Sequence, residues 1–328
     1  MLTFLGDVYL PWHVQSNFRM EDPYVFNLEG SITTRNKENL GFNMKESLFQ
    51  EVFGHNPRAV CLANNHIMDY GESGLRDTLT NLKELSIQFF GAGTLDENCH
   101  NPAILEINGF QVALLGYVCP STHAIWVTKN TPGVRPIDKA VINEDIRTAK
   151  KGGVDRIIVH LHWGAEFVSL PKWEDIQTAK DIVTMGADLI IGHHAHCIQP
   201  YQIWHGKPIY YGLGNCIFPD RVPDGFETVF VGQRGKQKSL AVQYDLNTSC
   251  CRTFQLTFSN SKLYWQQEKK GSWNPSGSEE RYATRYRKAE RMAIFRYLST
   301  TFWNQPRLPR ISTIREALLF GLRPTKRC

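Results

Sequence analysis

Five polar clusters, each directly after a short apolar segment, constrain this sequence more than any other feature. They are Gly6-Asp7, Asn27-Leu28-Glu29-Gly30, Asn64-Asn65-His66, His160-Leu161-His162-Trp163-Gly164 and Gly192-His193-His194-Ala195-His196. In open α/β sheets the loops beyond the strand carboxyl ends form the ligand crevice, so polar groups at successive strand ends converge in space. The pattern therefore predicts an α/β domain with one functional site.

The apolar segments alternate with helical patterns up to about residue 218, as is typical of an α/β domain. Helices are predicted over residues 74–85 and 176–185, where apolar residues recur at helical spacing. Two late strands, 240–246 and 253–258, are assigned to the same domain. The other predicted strands cover residues 2–5, 24–28, 59–62, 87–90, 103–107, 112–116, 156–161, 189–191 and 209–213.

The clusters supply carboxylates, amides and imidazoles but no thiolate. Such a mixed oxygen and nitrogen set suits Mn, Fe, Zn or Mg better than a structural Cys-zinc site. His194 and His196 are two positions apart at a strand end, and His160 and His162 share a strand face for the same reason. A single histidine of this kind is more often an ordinary core or surface residue. Five of the eleven histidines in two clusters indicate a metal site instead.

In order and spacing, the clusters resemble the bacterial capsule and poly-gamma-glutamate synthesis (CapA-type) family, a branch of the calcineurin-like metallophosphoesterases. The strings Asp69-Tyr70-Gly71, His162-Trp163-Gly164-Ala165-Glu166 and Leu213-Gly214-Asn215 add to the resemblance, which covers residues 1 to about 218. It implies a four-layer α-β-β-α sandwich with a metal site at one edge of the two sheets. It also implies one or two divalent ions per chain, with Mn, Zn, Fe and Mg as the candidates.

The expected site residues fall into three groups. The metal ligands implied by the resemblance are Asp7, Glu29, Asn65, His162, His194 and His196, with His160 as the alternative to His162. His66 is expected to contact the substrate phosphate or protonate the leaving oxygen, Asp69 to orient its imidazole, and Glu166 to orient a ligand or contact the substrate. The candidate substrate contacts are Asn27, Asn64, His160, His193 and Asn215.

The sequence also departs from the superfamily pattern. Asp7-Val8-Tyr9 stands where the superfamily has Asp-any-His, so that one imidazole ligand is missing, and Glu29 stands where it has a bridging aspartate. In addition, no acid directly follows His66. These departures leave open whether the site holds one metal ion or two.

The predicted activity is hydrolysis of a phosphomonoester or phosphodiester by metal-activated water. The family resemblance implies capsule, polysaccharide or polyglutamate metabolism, with a phosphorylated small molecule or glycan precursor as the substrate. A non-catalytic accessory protein of an envelope-polymer synthesis complex is one alternative, because the first metal site is incomplete. A metal-dependent amide or ester hydrolase is the other, because an activated hydroxide also attacks carbonyl carbon.

Cysteine usage and hydropathy bear on the compartment. No apolar run reaches the roughly 18 residues of a membrane-spanning helix, and no signal-peptide pattern precedes the first strand. The eight cysteines are scattered without a C-x-x-C pair, as expected of reduced thiols. The expected location is therefore the cytoplasm, at the inner face of the membrane if the C-terminal segment binds lipid.

The C-terminal segment differs in charge from the rest of the chain. Between Arg281 and Cys328, twelve Lys/Arg stand against Glu290 and Glu316, whereas the whole chain has a net charge of +5. We assign residues 1–265 to the catalytic domain and 266–328 to a linker and a basic, aromatic-rich helical extension. The extension is expected either to pack on the domain through its aromatic residues or to contact an anionic membrane as well. No recognised nucleic-acid motif accompanies it, so nucleic acid is not an expected partner.

We expect the full-length chain to bind anionic vesicles at low salt and to be released as salt rises. Each basic residue near an anionic surface contributes about 1 kcal/mol, and salt screens this attraction. Co-sedimentation with phosphatidylserine vesicles measures the binding, and a chain truncated after Gly277 should bind less. Full-length protein that ignores such vesicles at low salt would rule out the membrane contact.

Overall fold

The computed structural model describes residues 1–35, 41–44, 47–94, 102–219, 237–268 and 278–304. Its α-helices are α1 Phe49–Phe53, α2 Gly71–Glu84, α3 Lys139–Lys151, α4 Trp173–Met185 and α5 Glu279–Asn304, and a 3-10 turn covers Pro120–Thr122. Its strands are β1 Leu2–Val8, β2 Gln15–Ser16, β3 Tyr24–Leu28, β4 Ser31–Ile32, β5 Asn43–Met44, β6 Ala59–Cys61, β7 Gln88–Phe90, β8 Ala92–Gly93, β9 Ala103–Ile107, β10 Phe110–Val118, β11 Gly133–Val134, β12 Arg156–His162, β13 Leu189–His193, β14 Tyr201–Trp204, β15 Lys207–Tyr210, β16 Asn215–Ile217, β17 Gln237–Tyr244, β18 Cys251–Ser259 and β19 Lys262–Glu268.

Most of these strands belong to two sheets. The large sheet has the order β2-β19-β18-β17-β1-β3-β6-β7, with β16 also paired to β1, and the small sheet has the order β14-β15-β13-β12-β10-β9. Strands β1, β3, β6 and β7 run parallel, as do β10, β12, β13 and β15. The loops that follow these parallel strands therefore lie at one edge of each sheet.

Alternation along β10 shows how the interior is divided. Val112 and Leu114 belong to the main core cluster, which also contains apolar residues of the large sheet and of α1 and α2. Ala113 and Leu115 belong to a second cluster with α3 and α4, because successive side chains of a strand point to opposite faces. The two sheets thus pack between two helical layers, which confirms the predicted four-layer α-β-β-α sandwich.

Every predicted strand overlaps an observed one, and both predicted helices of the domain are present. Helix α3 was not anticipated from the sequence; it begins after Asp138, whose side chain accepts hydrogen bonds from the backbone N–H groups of Ala140 and Val141. It buries Ile142 and Ile146 on one face. Strand β19 runs to Glu268, so the large sheet continues three residues beyond residue 265.

The cysteines depart from the expectation of reduced thiols. Among the described cysteines, five are free, but Cys119 is disulfide-bonded. Disulfide bonds are typical of oxidising compartments, and the cytoplasmic location stays a prediction. No helix in the described ranges is long and apolar enough to cross a membrane.

The first turns of α5 pack on the domain. The Tyr282 side chain is buried in the second core cluster, and its hydroxyl donates a hydrogen bond to the Pro171 carbonyl oxygen at 2.7 Å. Its ring lies 5.5 Å from that of Trp173 at the start of α4. This contact agrees with the packing interpretation for the start of the extension. The proposed boundary at residue 265 stays a prediction, and residues 305–328 lie outside the described ranges.

We expect Tyr282→Phe to lower the free energy of unfolding by about 1 kcal/mol, because it removes one buried hydrogen bond. Tyr282→Ala should lower it by about 3–5 kcal/mol, because it also empties a packed site. Urea unfolding measures both, with Arg281→Ala at the neighbouring exposed position as the control. A Tyr282→Ala protein as stable as the wild type would contradict this packing.

Candidate metal centre

Strand register brings the polar clusters together. In the large sheet, Asp7 of β1 pairs with Asn27 of β3 and with Asn215 of β16. In the small sheet, His162 of β12 pairs with His193 of β13. Residues far apart in sequence thus end at the same sheet edges, as the strand-end pattern predicts.

Close backbone approach shapes the turn after β13. A Cβ atom at Gly192 would lie 1.9 Å from the Tyr211 carbonyl oxygen, so no larger residue fits there without movement. His194 and His196 have φ values of 82° and 51°, in the left-handed region that non-glycine residues rarely adopt. Strain of this kind is often found at functional sites, where the surrounding structure maintains it.

Two groups of side chains offer ligand atoms close enough to bind an ion. Asp7, Glu29 and His162 form one group and are all buried. The second group consists of His194, His196 and the exposed Glu166. Within each group the candidate ligand atoms lie within 4.8 Å of one another. Carboxylate and imidazole donors of this kind suit Mn, Zn or Fe.

Three buried atoms in these groups that could bind a metal ion lack a hydrogen-bond partner in the described part of the chain. They are Glu29 Oε1, His162 Nδ1 and His194 Nδ1. Buried polar atoms are nearly always hydrogen-bonded, so unpartnered ones require an explanation. Three such atoms in two adjacent ligand groups fit the binding of divalent cations.

The pKa shifts of the candidate ligands also fit the binding of divalent cations. Burial raises the pKa of Glu29 well above its usual range, and the negative charges of Asp7 and Glu166 raise it further. Burial lowers the pKa of His162 well below its usual value and that of His194 to about 4. Neutral imidazole is the form that binds a metal, and a bound cation would stabilise the Glu29 carboxylate.

Two buried histidines, His193 and His160, extend from Asp7 of the first group into the interior. Asp7 Oδ1 is 2.8 Å from His193 Nδ1, and His193 Nε2 is 3.1 Å from His160 Nδ1. Burial alone would raise the pKa of Asp7, but the hydrogen bond and charge of His193 lower it. His160 and His193 are almost completely buried and are not in either ligand group. The geometry therefore favours His162 over His160 as a ligand.

Amide side chains hold several of the candidate ligands. Asn27 Nδ2 donates to Asp7 Oδ1 at 2.9 Å, and it lies 3.3 Å from Glu29 Oε2. Asn65 Oδ1 is 2.8 Å from His162 Nε2. In the second group, His196 Nδ1 lies 2.8 Å from the oxygen of a further amide, Asn215 Oδ1.

Asn64 stabilises the turn that carries His66. Its Oδ1 accepts hydrogen bonds from the backbone N–H groups of His66 and Ile67, at 3.0 and 2.8 Å. Its Nδ2 donates to Asn27 Oδ1 and to the Leu28 carbonyl oxygen. All four bonds are internal, which indicates that Asn64 orients the turn.

His66 lies at the accessible side of the site. Its side chain is 25% exposed, and its Nδ1 is 3.0 Å from Asp69 Oδ2. The same carboxylate oxygen accepts a hydrogen bond from the Phe42 backbone N–H, and the Phe42 and His66 rings are 4.3 Å apart. The Phe42 ring thus packs on one face of the imidazole, and Asp69 holds its Nδ1. Nothing in the sequence pattern indicated Phe42, because its contact depends on how two distant loops pack.

Two sheets packed between helical layers thus carry an oxygen and nitrogen ligand set at one edge. Residues 7–220 match the bacterial capsule synthesis protein family PGA_cap, which is well over half of the sequence. The chain belongs to this family.

Curated relatives carry related names. The capsule biosynthesis protein CapA of Bacillus anthracis is 30% identical over 243 residues, covering 66% of this chain and 59% of that protein. The PGA biosynthesis protein CapA of Bacillus subtilis (strain 168) is 34% identical over 196 residues, covering 60% and 48%. A Mycobacterium tuberculosis protein named "Probable polyglutamine synthesis accessory protein" is 28% identical over 210 residues, covering 60% and 55%. The matches thus span about half the length of these relatives.

Solved structures that are similar to this chain include a calcineurin-like phosphoesterase from Bacillus subtilis, with a TM-score of 0.38 and 17% identity. That match covers 75% of this chain and 72% of the other. A 5'-nucleotidase from Candida albicans gives a TM-score of 0.47 with 10% identity and covers 89% and 58%. Such distant similarity carries no conclusion about the activity of this chain.

We expect His194→Ala or His196→Ala to remove bound metal, because each deletes one of the two imidazoles in a group of three candidate ligands. The melting temperature of metal-loaded protein should fall as well, since a bound ion stabilises the folded state. Elemental analysis and thermal unfolding measure the two effects, with His205→Ala on the exposed β14–β15 turn as the control. Unchanged metal content and melting temperature in both variants would contradict the assignment.

Proposed function

We propose that this chain is a metal-dependent phosphoesterase. The observation that supports it most strongly is the pairing of two ligand groups with unpartnered buried atoms and a partly exposed imidazole beside them. An imidazole near a metal site, but outside its ligand groups, is what proton transfer to a leaving group requires.

We assign Asp7, Glu29, Asn65, His162, His194 and His196 as the metal ligands and add Glu166. The carboxylate of Glu166 belongs to the same group as His194 and His196. Divalent ions bound there, with Mn, Zn and Fe as the first candidates and Mg as a fourth, supply a Lewis acid for phosphoryl oxygens and an activated water. Asn27 and Asn215 orient the ligands that they contact.

His66 acts as the general acid in this proposal. Asp69 holds Nδ1 of the ring, so Nε2 is the atom that gives a proton to the leaving oxygen. His160 and His193 orient Asp7 from behind and do not contact the substrate, because both are buried away from solvent. The substrates proposed are phosphorylated small molecules or glycan precursors of capsule or polyglutamate synthesis, since the curated relatives are named for those pathways.

A second candidate function is a non-catalytic role in assembling an envelope polymer. Two observations favour it: one relative is named as an accessory protein, and Tyr9 stands where the superfamily has a metal-binding histidine. A screen of aryl phosphates, alkyl phosphates and phosphodiesters with Mn, Zn, Fe and Mg supplied separately distinguishes the two. Metal binding without turnover of any substrate would favour the accessory role.

We expect His66→Asn to retain metal and fold but to lower kcat by about 100-fold or more, within the range for lost proton transfer. The loss should be larger for alkyl phosphates than for aryl phosphates, because an aryl leaving oxygen hardly needs protonation. Steady-state kinetics on both substrate types, with elemental analysis of the same samples, measure this.

His205→Ala serves again as the control, since it removes an exposed imidazole outside the site. Equal turnover by metal-loaded His66→Asn and wild type on every substrate would refute the general-acid role. Loss of metal together with activity would instead make His66 a structural or ligand residue.

A further inference from the structure

A cavity lies beside the second ligand group. It has a volume of about 380 Å³ and lies between helix α5 and the loop from residue 163 to residue 172, which connects β12 to α4. The loop contributes Phe167, Ser169 and Leu170 to its walls, and the helix contributes Arg285, Lys288, Ala289 and Met292.

The loop joins the cavity to the ligand groups. Phe167 directly follows Glu166, and its ring stacks on that of His196 with centroids 5.7 Å apart. The Phe167 backbone N–H donates to the Ala195 carbonyl oxygen at 2.8 Å, and Phe167 has a φ of 63°. The loop is thus held against the segment that carries His194 and His196. One aromatic ring separates the cavity from a candidate metal ligand.

The helix wall is positioned by contacts outside the cavity. The hydroxyl of Tyr282 donates a hydrogen bond to the Pro171 carbonyl oxygen on the same loop, which holds the start of α5 against this loop. Arg285, Lys288 and Met292 follow at spacings of three and four residues and therefore share one helix face. This face brings two cationic side chains and one apolar side chain to the cavity.

The basic and apolar side chains that line the cavity suit a ligand with an anionic group and a carbon chain. Two adjacent cations favour a carboxylate or a phosphate, and charge-assisted hydrogen bonds are the stronger kind. Phe167, Leu170 and Met292 provide apolar surface for the carbon chain that joins such a group to the reacting phosphate. A ligand that spans both places needs an acidic group at each end.

We propose that the cavity binds a second acidic group of the substrate, so that the site selects phosphoesters carrying another acid a short chain away. This inference rests on the proposed function for the reacting end, whereas the cavity itself is tested by binding alone. Helix α5 would then act as a specificity element of the site.

The test uses ligands that cannot be hydrolysed. Alkane bisphosphonates with linkers of increasing length are compared by calorimetry with alkylphosphonates of the same chain length, on metal-loaded full-length protein. We expect the best bisphosphonate to bind roughly tenfold more tightly than its monophosphonate partner. High salt should reduce the difference because the cations are exposed.

Charge-matched variants locate the effect. Arg285→Gln/Lys288→Gln should abolish the difference, whereas Arg287→Gln/Arg291→Gln should keep it, since these exposed arginines lie on the same helix but do not line the cavity. Equal binding of the two ligands by wild type, or equal losses in both double variants, would overturn the proposal.

Hydrolysis of an aryl phosphate is measured separately on the same proteins. If the protein hydrolyses the aryl phosphate but binds both ligands equally, the proposed activity stands and the proposal that the cavity binds a second acidic group is refuted. A bisphosphonate advantage without turnover would support the cavity and refute the phosphoesterase. Absence of both would refute both.

Discussion

The buried carboxylate of Asp7 is the constraint on which the rest of the site depends. It is fully buried at the end of a central strand, where a charge is costly unless it is hydrogen-bonded and paired. Its partners Asn27 and His193 come from β3 of the large sheet and β13 of the small sheet. The same carboxylate that is a candidate ligand therefore also links the two sheets, and a displacement of either sheet would remove one of its hydrogen bonds.

Around this centre the donors are held by neighbours that are not themselves in the ligand groups. Asn27, Asn215 and His193 each contact one or two candidate ligands through bonds that fix orientation. Such outer partners are a general feature of metal sites, because a ligand must be oriented before the ion arrives. These orienting contacts account for the burial of the polar side chains of Asn27, Asn215 and His193 in the interior of the sandwich.

The loop from residue 163 to residue 172 connects this centre to the C-terminal helix. Glu166 joins the second ligand group, Phe167 stacks on His196, and the Pro171 carbonyl accepts the hydroxyl of Tyr282. The basic segment that differs in charge from the rest of the chain is therefore attached next to the site.

The sequence by itself determined the α/β class, the strand positions and the clustering of histidines, because these follow from local periodicity and from polar residues at strand ends. Only the tertiary structure distinguishes His160 from His162, which share a strand face: His160 meets His193, whereas His162 lies beside the carboxylates of Asp7 and Glu29. It also decided that Glu166 approaches His194 and His196, that Phe42 covers His66, that Tyr282 is buried and that Cys119 is disulfide-bonded. Each of these contacts depends on how segments far apart in sequence pack against each other. The periodicity within one segment carries no information about the distance between two segments in space.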